Sequence, residues 1–372
     1  MRRSDEISHE AGKPERAARL SCLREAMAAR RLDAFLVSHL PNIFYLSGFT
    51  GSNAALLVYS AGTTLFTDSR YTIQAKREAP ECRIQIVHGS ALEAVAASLP
   101  GRKSWKVGFE ASRVTVTQRD CLAKAAARTV RWIAWDGHVE SLRMLKDASE
   151  LAIMRQAATI ACSAWRDTLQ LVKPGVRESE LAAEIVYRMR RMGAEGPSFD
   201  TIVASGDRSA WPHARATCKP IGKNELVVFD LGAILRGYSS DLTRTVVVGK
   251  APAGVKRWYR AVQEAQQAAR SALRPGATAE SVDSAARSVF RRNGLAKQFI
   301  HSTGHGLGLE VHESPRLGRG EKAILCKNMV VTIEPGVYVE GQGGIRIEDD
   351  AVVTQTGAEF ITDAPRELIE IG

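Results

Sequence analysis

The stretch VVTIEPGVYVEGQGGIRIEDDA, Val330–Ala351, decides the fold. It reads as two β-strands joined by a Gly-rich turn, with one acid on each strand, Glu334 and Glu348. An earlier stretch repeats the design: VVFDLGAILRGYSSDLTRTVVV, Val227–Val248, with Asp230 and Asp241. A carboxylate inside a protein must be paired or coordinate a metal. The two hairpins are therefore expected to face each other around metal.

Strand alternation refines this expectation, because side chains at i and i+2 share a face. Asp241, Thr243 and Thr245 point one way, opposite Leu242, Arg244 and Val246. Arg346, Glu348 and Asp350 share a face, opposite Ile345 and Ile347. Helical spacing places helices over Ser149–Leu171, Glu178–Arg190, Trp258–Leu273 and Ala279–Arg292. Lys173-Pro174-Gly175 and Arg274-Pro275-Gly276 break the two helix pairs in the same way. Long helix, basic-Pro-Gly break, second helix and acid-bearing hairpin thus follow twice, an internal duplication with a pseudo-two-fold relation. This C-terminal α+β domain is expected over residues 147–372.

Upstream, short strands alternate with helices. Strands are read at Ala34–Val37, Leu56–Tyr59, Thr63–Phe66, Ile84–Val87, Lys106–Phe109 and Val130–Ile133. Helices are read at about 14–31, from Tyr71, and at Ala91–Leu99 and Gln118–Ala127. That alternation predicts a separate α/β domain over residues 1–140 with a parallel or mixed sheet. The chain is therefore expected to be a two-domain α/β protein.

The 372 residues suffice for two or three domains. No apolar run approaches the ~18 residues of a membrane span, and the N-terminal MRRSDEISHEAGKPER has no apolar signal core. A cytoplasmic protein without membrane contact is expected. The six cysteines form no CxxC pair, so reduced thiols are expected. The net charge of +10 is spread, +6 over residues 1–140 and +4 over the rest. It forms no basic block interleaved with aromatics, which argues against nucleic acid as a partner.

Four carboxylates alone suit a hard cation; a histidine shifts the choice toward Mn, Fe, Co or Zn. The chain supplies candidates in His301-Ser-Thr-Gly-His305-Gly-Leu-Gly-Leu-Glu-Val-His312-Glu, where glycines leave the backbone open beside a site. His213, in Trp211-Pro212-His213-Ala214, is isolated and by itself reads as a surface-loop residue.

Taken together, FDLGA, SSDLTRT, STGHGLGLEVHE, TIEPGVY and GIRIEDD resemble the methionine aminopeptidase/prolidase ("pita-bread") metallopeptidases. Asn42–Gly51 and Phe66–Tyr71 resemble the N-terminal creatinase/prolidase-like domain of the Xaa-Pro aminopeptidase branch. The resemblance covers nearly the whole chain and implies a five-ligand set for two divalent metals: Asp230, Asp241, His305, Glu334 and Glu348. Asp241 and Glu348 would bridge, Asp230 would serve one metal, and His305 with Glu334 the other. Mn²⁺ is the expected metal, with Co²⁺ or Zn²⁺ as alternatives. His213, His301 and His312 match the family's substrate-binding histidines, and Arg346 matches the Arg beside the last ligand.

The chemistry agrees with the resemblance. Two metals can activate a water for attack on the scissile carbonyl. Glu334 is the expected general base and proton shuttle. His312 and His213 would donate hydrogen bonds to the oxyanion or to substrate. Arg346 would either orient Glu348 or Asp241 or recognise a substrate carboxylate.

The expected enzyme is an Xaa-Pro aminopeptidase acting on small peptides with proline second. An Xaa-Pro dipeptidase is the close alternative. A metal-free creatinase-like amidinohydrolase and a non-enzymatic scaffold are the readings from other classes. The resemblance further implies a homodimer.

Overall fold

The computed structural model describes residues 13–101 and 104–372. Most of the charged N-terminal stretch MRRSDEISHEAGKPER, read as lacking an apolar signal core, lies outside the described residues. The chain divides into two compact units between Arg143 and Met144.

The first unit is a six-stranded mixed sheet. Its strands are β1 (Ala34–Val37), β2 (Ala54–Tyr59), β3 (Gly62–Asp68), β4 (Arg83–Val87), β5 (Trp105–Phe109) and β6 (Val130–Ala134), in the order β4-β3-β2-β1-β5-β6. β2 and β3 form the antiparallel hairpin, while β3–β4, β1–β5 and β5–β6 run parallel. Parallel neighbours need crossovers, and the helices Thr72–Glu78, Ala91–Ser98 and Val116–Ala125 supply them. The Asn42 motif serves this unit's own interior. Buried Asn42 donates to Glu110 (2.6 Å) and Glu140 (2.9 Å), and accepts from Arg143 (2.7 Å).

The second unit contains the duplication. Its helices are Ala148–Thr168, Glu178–Arg191, Ala253–Ala272 and Ala279–Arg292. The first starts on a reciprocal cap: Asp147 accepts from the Ser149 and Glu150 amides, and Glu150 accepts from the Asp147 amide. The third begins earlier than the sequence suggested, at Ala253 rather than Trp258, because Pro252 opens a turn that Trp258 lies well inside.

Strands β7 (Gly196–Pro197), β8 (Ile202–Ser205), β9 (Glu225–Leu231), β10 (Ala233–Leu235), β11 (Tyr238–Ser239) and β12 (Leu242–Val248) belong to the first half. The second half has β13 (Gly304–Gly306), β14 (Glu313–Leu317), β15 (Val330–Ile333), β16 (Gly336–Val339), β17 (Gly343–Arg346), β18 (Asp349–Val353) and β19 (Ala358–Phe360). A last strand, β20 (Ile369–Ile371), returns to pair with β12 in the sheet β20-β12-β9-β8. The second half builds the sheet β14-β13-β15-β18-β19.

Hydrogen bonds repeat between the halves residue for residue. The Gly175 amide donates to the Ile221 carbonyl, and Gly276 to Leu325, each at 2.9 Å. Ile221 and Leu325 return bonds to Val176 and Ala277. Isolated bridges join Arg177 to Pro220 and Thr278 to Ile324. Asn224 and Asn328 both take positive φ at the entry to their hairpins, a conformation that asparagine tolerates. Each half packs its hairpin on its own helix pair, around Trp165, Leu181 and Phe229 in one and Val262, Phe290 and Ile347 in the other.

Candidate metal centre

Each hairpin is broken into two ladders. In the first, β9 pairs with β12 and β10 with β11; in the second, β15 pairs with β18 and β16 with β17. The sequence suggested two continuous strands over Val330–Ala351; Pro335, which has no N–H to donate, interrupts the first of them after Glu334. Three acids sit in these gaps. Asp241 lies just before β12, Glu334 just after β15 and Glu348 just before β18. Asp230 is the next-to-last residue of β9, opposite Thr243.

Donor atoms of Asp241, His305 and Glu348 lie within 4.8 Å of one another. His305 Nε2 is 3.8 Å from Asp241 Oδ2 and 3.4 Å from Glu334 Oε1. Asp230 stands beside this group, its Oδ2 held by Arg346 at 2.5 Å. All five side chains line one cavity of about 570 Å³.

Electrostatics show what the cluster lacks. Burial, reinforced by Glu348, Asp230 and further acids, pushes the Asp241 carboxyl well above the usual carboxylate range. Burial and the neighbouring Glu334 and Asp230 do the same to Glu348, and burial raises Glu334. Oδ1 of Asp230 and Oδ1 of Asp241 are buried without a hydrogen-bond donor among the described residues. His305 donates Nδ1–H to the Gly306 carbonyl (3.0 Å), which leaves an Nε2 lone pair facing the acids. Burial lowers its pKa, so the ring is neutral at pH 7. Orphaned carboxylate oxygens around a neutral imidazole fit divalent cations, whose charge would replace the missing protons.

Arg346 is buried and fully engaged. It donates to Thr243 Oγ1 (3.0 Å), Tyr338 Oη (2.8 Å), the Pro212 carbonyl (3.3 Å) and Asp230. The sequence reading offered Glu348 or Asp241 as its partner, or a substrate carboxylate. The guanidinium instead holds Asp230 directly and reaches Glu348 through Thr243, whose hydroxyl donates to Glu348 Oε2 at 2.5 Å. Thr243 and Arg346 leave their strands on the same side, so the tie crosses from one hairpin to the other.

His301, His312 and His213 line the same cavity. His301 donates Nδ1–H to the Ser302 carbonyl (2.7 Å) and accepts at Nε2 from Tyr338 Oη (2.9 Å), which accepts in turn from Arg346. His312 packs edge-on against His305, ring centroids 4.4 Å apart, and burial lowers its pKa. His213 is exposed on the Ser205–Thr217 loop.

Sequence reasoning missed Tyr338, Arg215 and Arg316, all beside or on the cavity wall. Tyr338 had a signal, since it lies on β16 inside the quoted hairpin. Arg215 and Arg316 had none beyond standing two and four residues after His213 and His312. Arg244 lies opposite the cavity-facing side, as alternation suggested, and is buried against Asp349 (2.7 Å).

A chain folded this way around such a cluster is a metal-dependent hydrolase of the duplicated-hairpin type. Residues 152–355 match the metallopeptidase family M24, and residues 19–145 match the Creatinase/Prolidase N-terminal domain. The chain belongs to family M24, with the prolidase-type pita-bread architecture. It is 37% identical over 346 residues to an Xaa-Pro dipeptidase of Pyrococcus horikoshii, covering 93% of this chain and 97% of that one. Among solved structures, an Xaa-Pro dipeptidase from Bacillus anthracis superposes with a TM-score of 0.91 at 37% identity, over 96% of this chain and all of that one. An X-Pro aminopeptidase from Thermotoga maritima superposes at 0.88 and 37% identity, over 95% and 99%.

Proposed function

We propose that the chain hydrolyses the Xaa-Pro bond of dipeptides, using two divalent metals held by Asp230, Asp241, His305, Glu334 and Glu348. The observation that carries this is the convergence of these side chains on one cavity with two carboxylate oxygens left unpartnered. Metals held there would supply an activated water and polarisation of the scissile carbonyl.

The chain's own groups do the rest. Glu334, its carboxyl raised by burial, takes the water's proton and passes it to the proline nitrogen. His312 and His213 donate hydrogen bonds to the developing oxyanion or to substrate. Tyr338 and Arg346 lock His301 and Asp230 in place.

The dipeptidase reading replaces the aminopeptidase one for a local reason. Exposed Arg215 and Arg316 line the cavity, and a pair of arginines there suits a free C-terminal carboxylate. The P. horikoshii and B. anthracis relatives also carry the dipeptidase name. The aminopeptidase reading keeps the support of the Thermotoga neighbour. Carboxylates with one imidazole suit Mn²⁺, then Co²⁺ or Zn²⁺. Six free cysteines fit the reducing cytoplasm, and a homodimer is the proposed assembly, testable by solution mass.

The deciding experiment offers Xaa-Pro, Xaa-Pro-Xaa, Met-Ala-Xaa and creatine with and without Mn²⁺. Metal-dependent cleavage of Xaa-Pro alone is expected. Equal cleavage of the tripeptide returns the aminopeptidase, and activity that survives a chelator overturns the metal mechanism.

A further inference from the structure

We propose that Glu178 is a positioning residue: one buried carboxylate that clips the Ser205–Thr217 loop shut and so sets where His213 stands. This deepens the peptidase reading and rests on it, because the effect of Glu178 is assigned through a histidine of that cavity.

Glu178 opens the Glu178–Arg191 helix and is completely buried. Its Oε1 accepts from the Ser205 amide (2.8 Å) and hydroxyl (2.9 Å), at one end of the loop. Its Oε2 accepts from the Thr217 amide (3.1 Å) and hydroxyl (2.8 Å), at the other end. Arg208 Nε reaches both oxygens, at 3.3 and 3.2 Å. The same guanidinium then spans the loop to the Arg215 carbonyl, at 2.5 Å. One side chain thus ties both ends of the loop and, through Arg208, its far limb.

The loop tip is fixed to the second hairpin. Ser209 Oγ donates to the Gly206 carbonyl (2.5 Å) and accepts from the Gly344 amide (2.9 Å). Gly344 has no room for a side chain there, since a Cβ would lie 2.3 Å from the Ser209 carbonyl oxygen. Arg346 holds the Pro212 carbonyl, one residue before His213. The exposed His213 ring therefore takes its place from the loop backbone.

The other half repeats the device with different residues. Buried Asp283, near the start of its helix, accepts from the Thr303 amide (3.1 Å) and hydroxyl (2.9 Å). Arg287 pairs with Asp283 (2.6 Å) and donates onward to the His301 carbonyl (2.6 Å). An acid, an arginine and a backbone carbonyl beside a cavity histidine recur in both halves, which argues for a role in placing those histidines. Glu178 carries the heavier task, because it closes both ends of its loop.

The test is Glu178→Gln, which keeps the shape but removes the charge and turns an N–H₂ toward two of its donors. Thr217→Val, which deletes one hydroxyl, serves if that variant does not fold. Hydrogen exchange of amides within residues 206–216 is expected to rise at least tenfold, with amides near His301 unchanged. For an Xaa-Pro dipeptide, kcat/KM is expected to fall at least tenfold at unchanged metal content. In a His213→Ala background the same change is expected to fall less than threefold, because its effect runs through that ring. A full tenfold fall in both backgrounds, or unchanged loop exchange, overturns the proposal. If the unaltered chain cleaves no Xaa-Pro peptide, the peptidase reading fails, and loop exchange alone then upholds or overturns the clip.

Discussion

Replacing Arg346 with methionine isolates the tie between the two hairpins. Arg346 is 3% exposed and its guanidinium makes four hydrogen bonds, one of them to the Asp230 carboxylate. Deleting one partner of a buried ion pair costs about 3–5 kcal/mol, because the other charge is left uncompensated. For a unit the size of Met144–Gly372, each kcal/mol moves the transition by about 2–4 °C. The metal-free variant should therefore unfold roughly 6–20 °C below the unaltered chain.

Metal changes that figure. A divalent cation taken up through the unpartnered Oδ1 of Asp230 gives the carboxylate a second counter-charge. The loss should then shrink toward the ~1–3 kcal/mol of unmade hydrogen bonds. Adding Mn²⁺ should thus raise the melting temperature of Arg346→Met by more than it raises that of the unaltered chain. Arg346→Lys keeps the charge without the fork and should lie between the two. The assay is thermal unfolding of all three proteins with chelator and with Mn²⁺. A metal-free fall below about 2 °C would show that Asp230 does not depend on this pair. Equal metal-induced gains in variant and parent would remove Asp230 from the ligand set.

Three other perturbations follow from the site and the core. Glu334→Gln should keep the fold and much of the metal but lose about 10²–10⁴-fold in turnover; near-full activity would exclude Glu334 as the base. Metal-free stability should fall as pH rises. Burial raises the folded pKa of Asp241, Glu334 and Glu348 above unfolded values near 4, so their favourable protonated state is complete below that value and lost on passing the folded pKa. Mn²⁺ should accordingly stabilise more at pH 8 than at pH 5.5, and a flat metal-free melting profile would contradict the raised carboxyls. Trp165→Ala, at a fully buried ring, should cost about 3–5 kcal/mol in denaturant unfolding. Trp165→Phe should cost far less, because the indole N–H has no partner among the described residues to lose.

The duplication was legible because it is written in covalent punctuation. Lys-Pro-Gly and Arg-Pro-Gly break helices whatever surrounds them. Apolar runs around Asp230, Asp241, Glu334 and Glu348 likewise marked acids that could not stay in water. The partners of Arg346 were not legible, because Thr243 and Asp230 meet it only when two hairpins distant in sequence come together. Glu178 gave no signal either. As the first residue of a helix, it reads as ordinary favourable charge at an N-terminus, and only the fold brings Ser205 and Thr217 to it.

Alternation remains a guide even where the ladders break. A strict period of two describes Thr243 and Thr245, which both face Arg346 from β12. It also carries into the gaps between ladders, since Asp241 and Glu348 line the cavity with Arg346 while Ile345 and Ile347 enter the core. The gap residues are held by bonds outside their own ladders instead: the Glu334 amide donates to the Thr303 carbonyl (2.8 Å), the Glu348 amide to the Thr243 carbonyl (3.1 Å) and the Asp241 amide to Asp350 Oδ2 (2.9 Å). The breaks lie where the two hairpins bring several carboxylates to one cavity. This has a consequence at Pro335, which interrupts the ladder immediately after Glu334. Pro335→Ala should restore a donor and favour continuous pairing there. Weakened metal retention in a chain with an unchanged far-ultraviolet spectrum is the expected result. Metal retention equal to the unaltered chain would mean that the break does not depend on the proline.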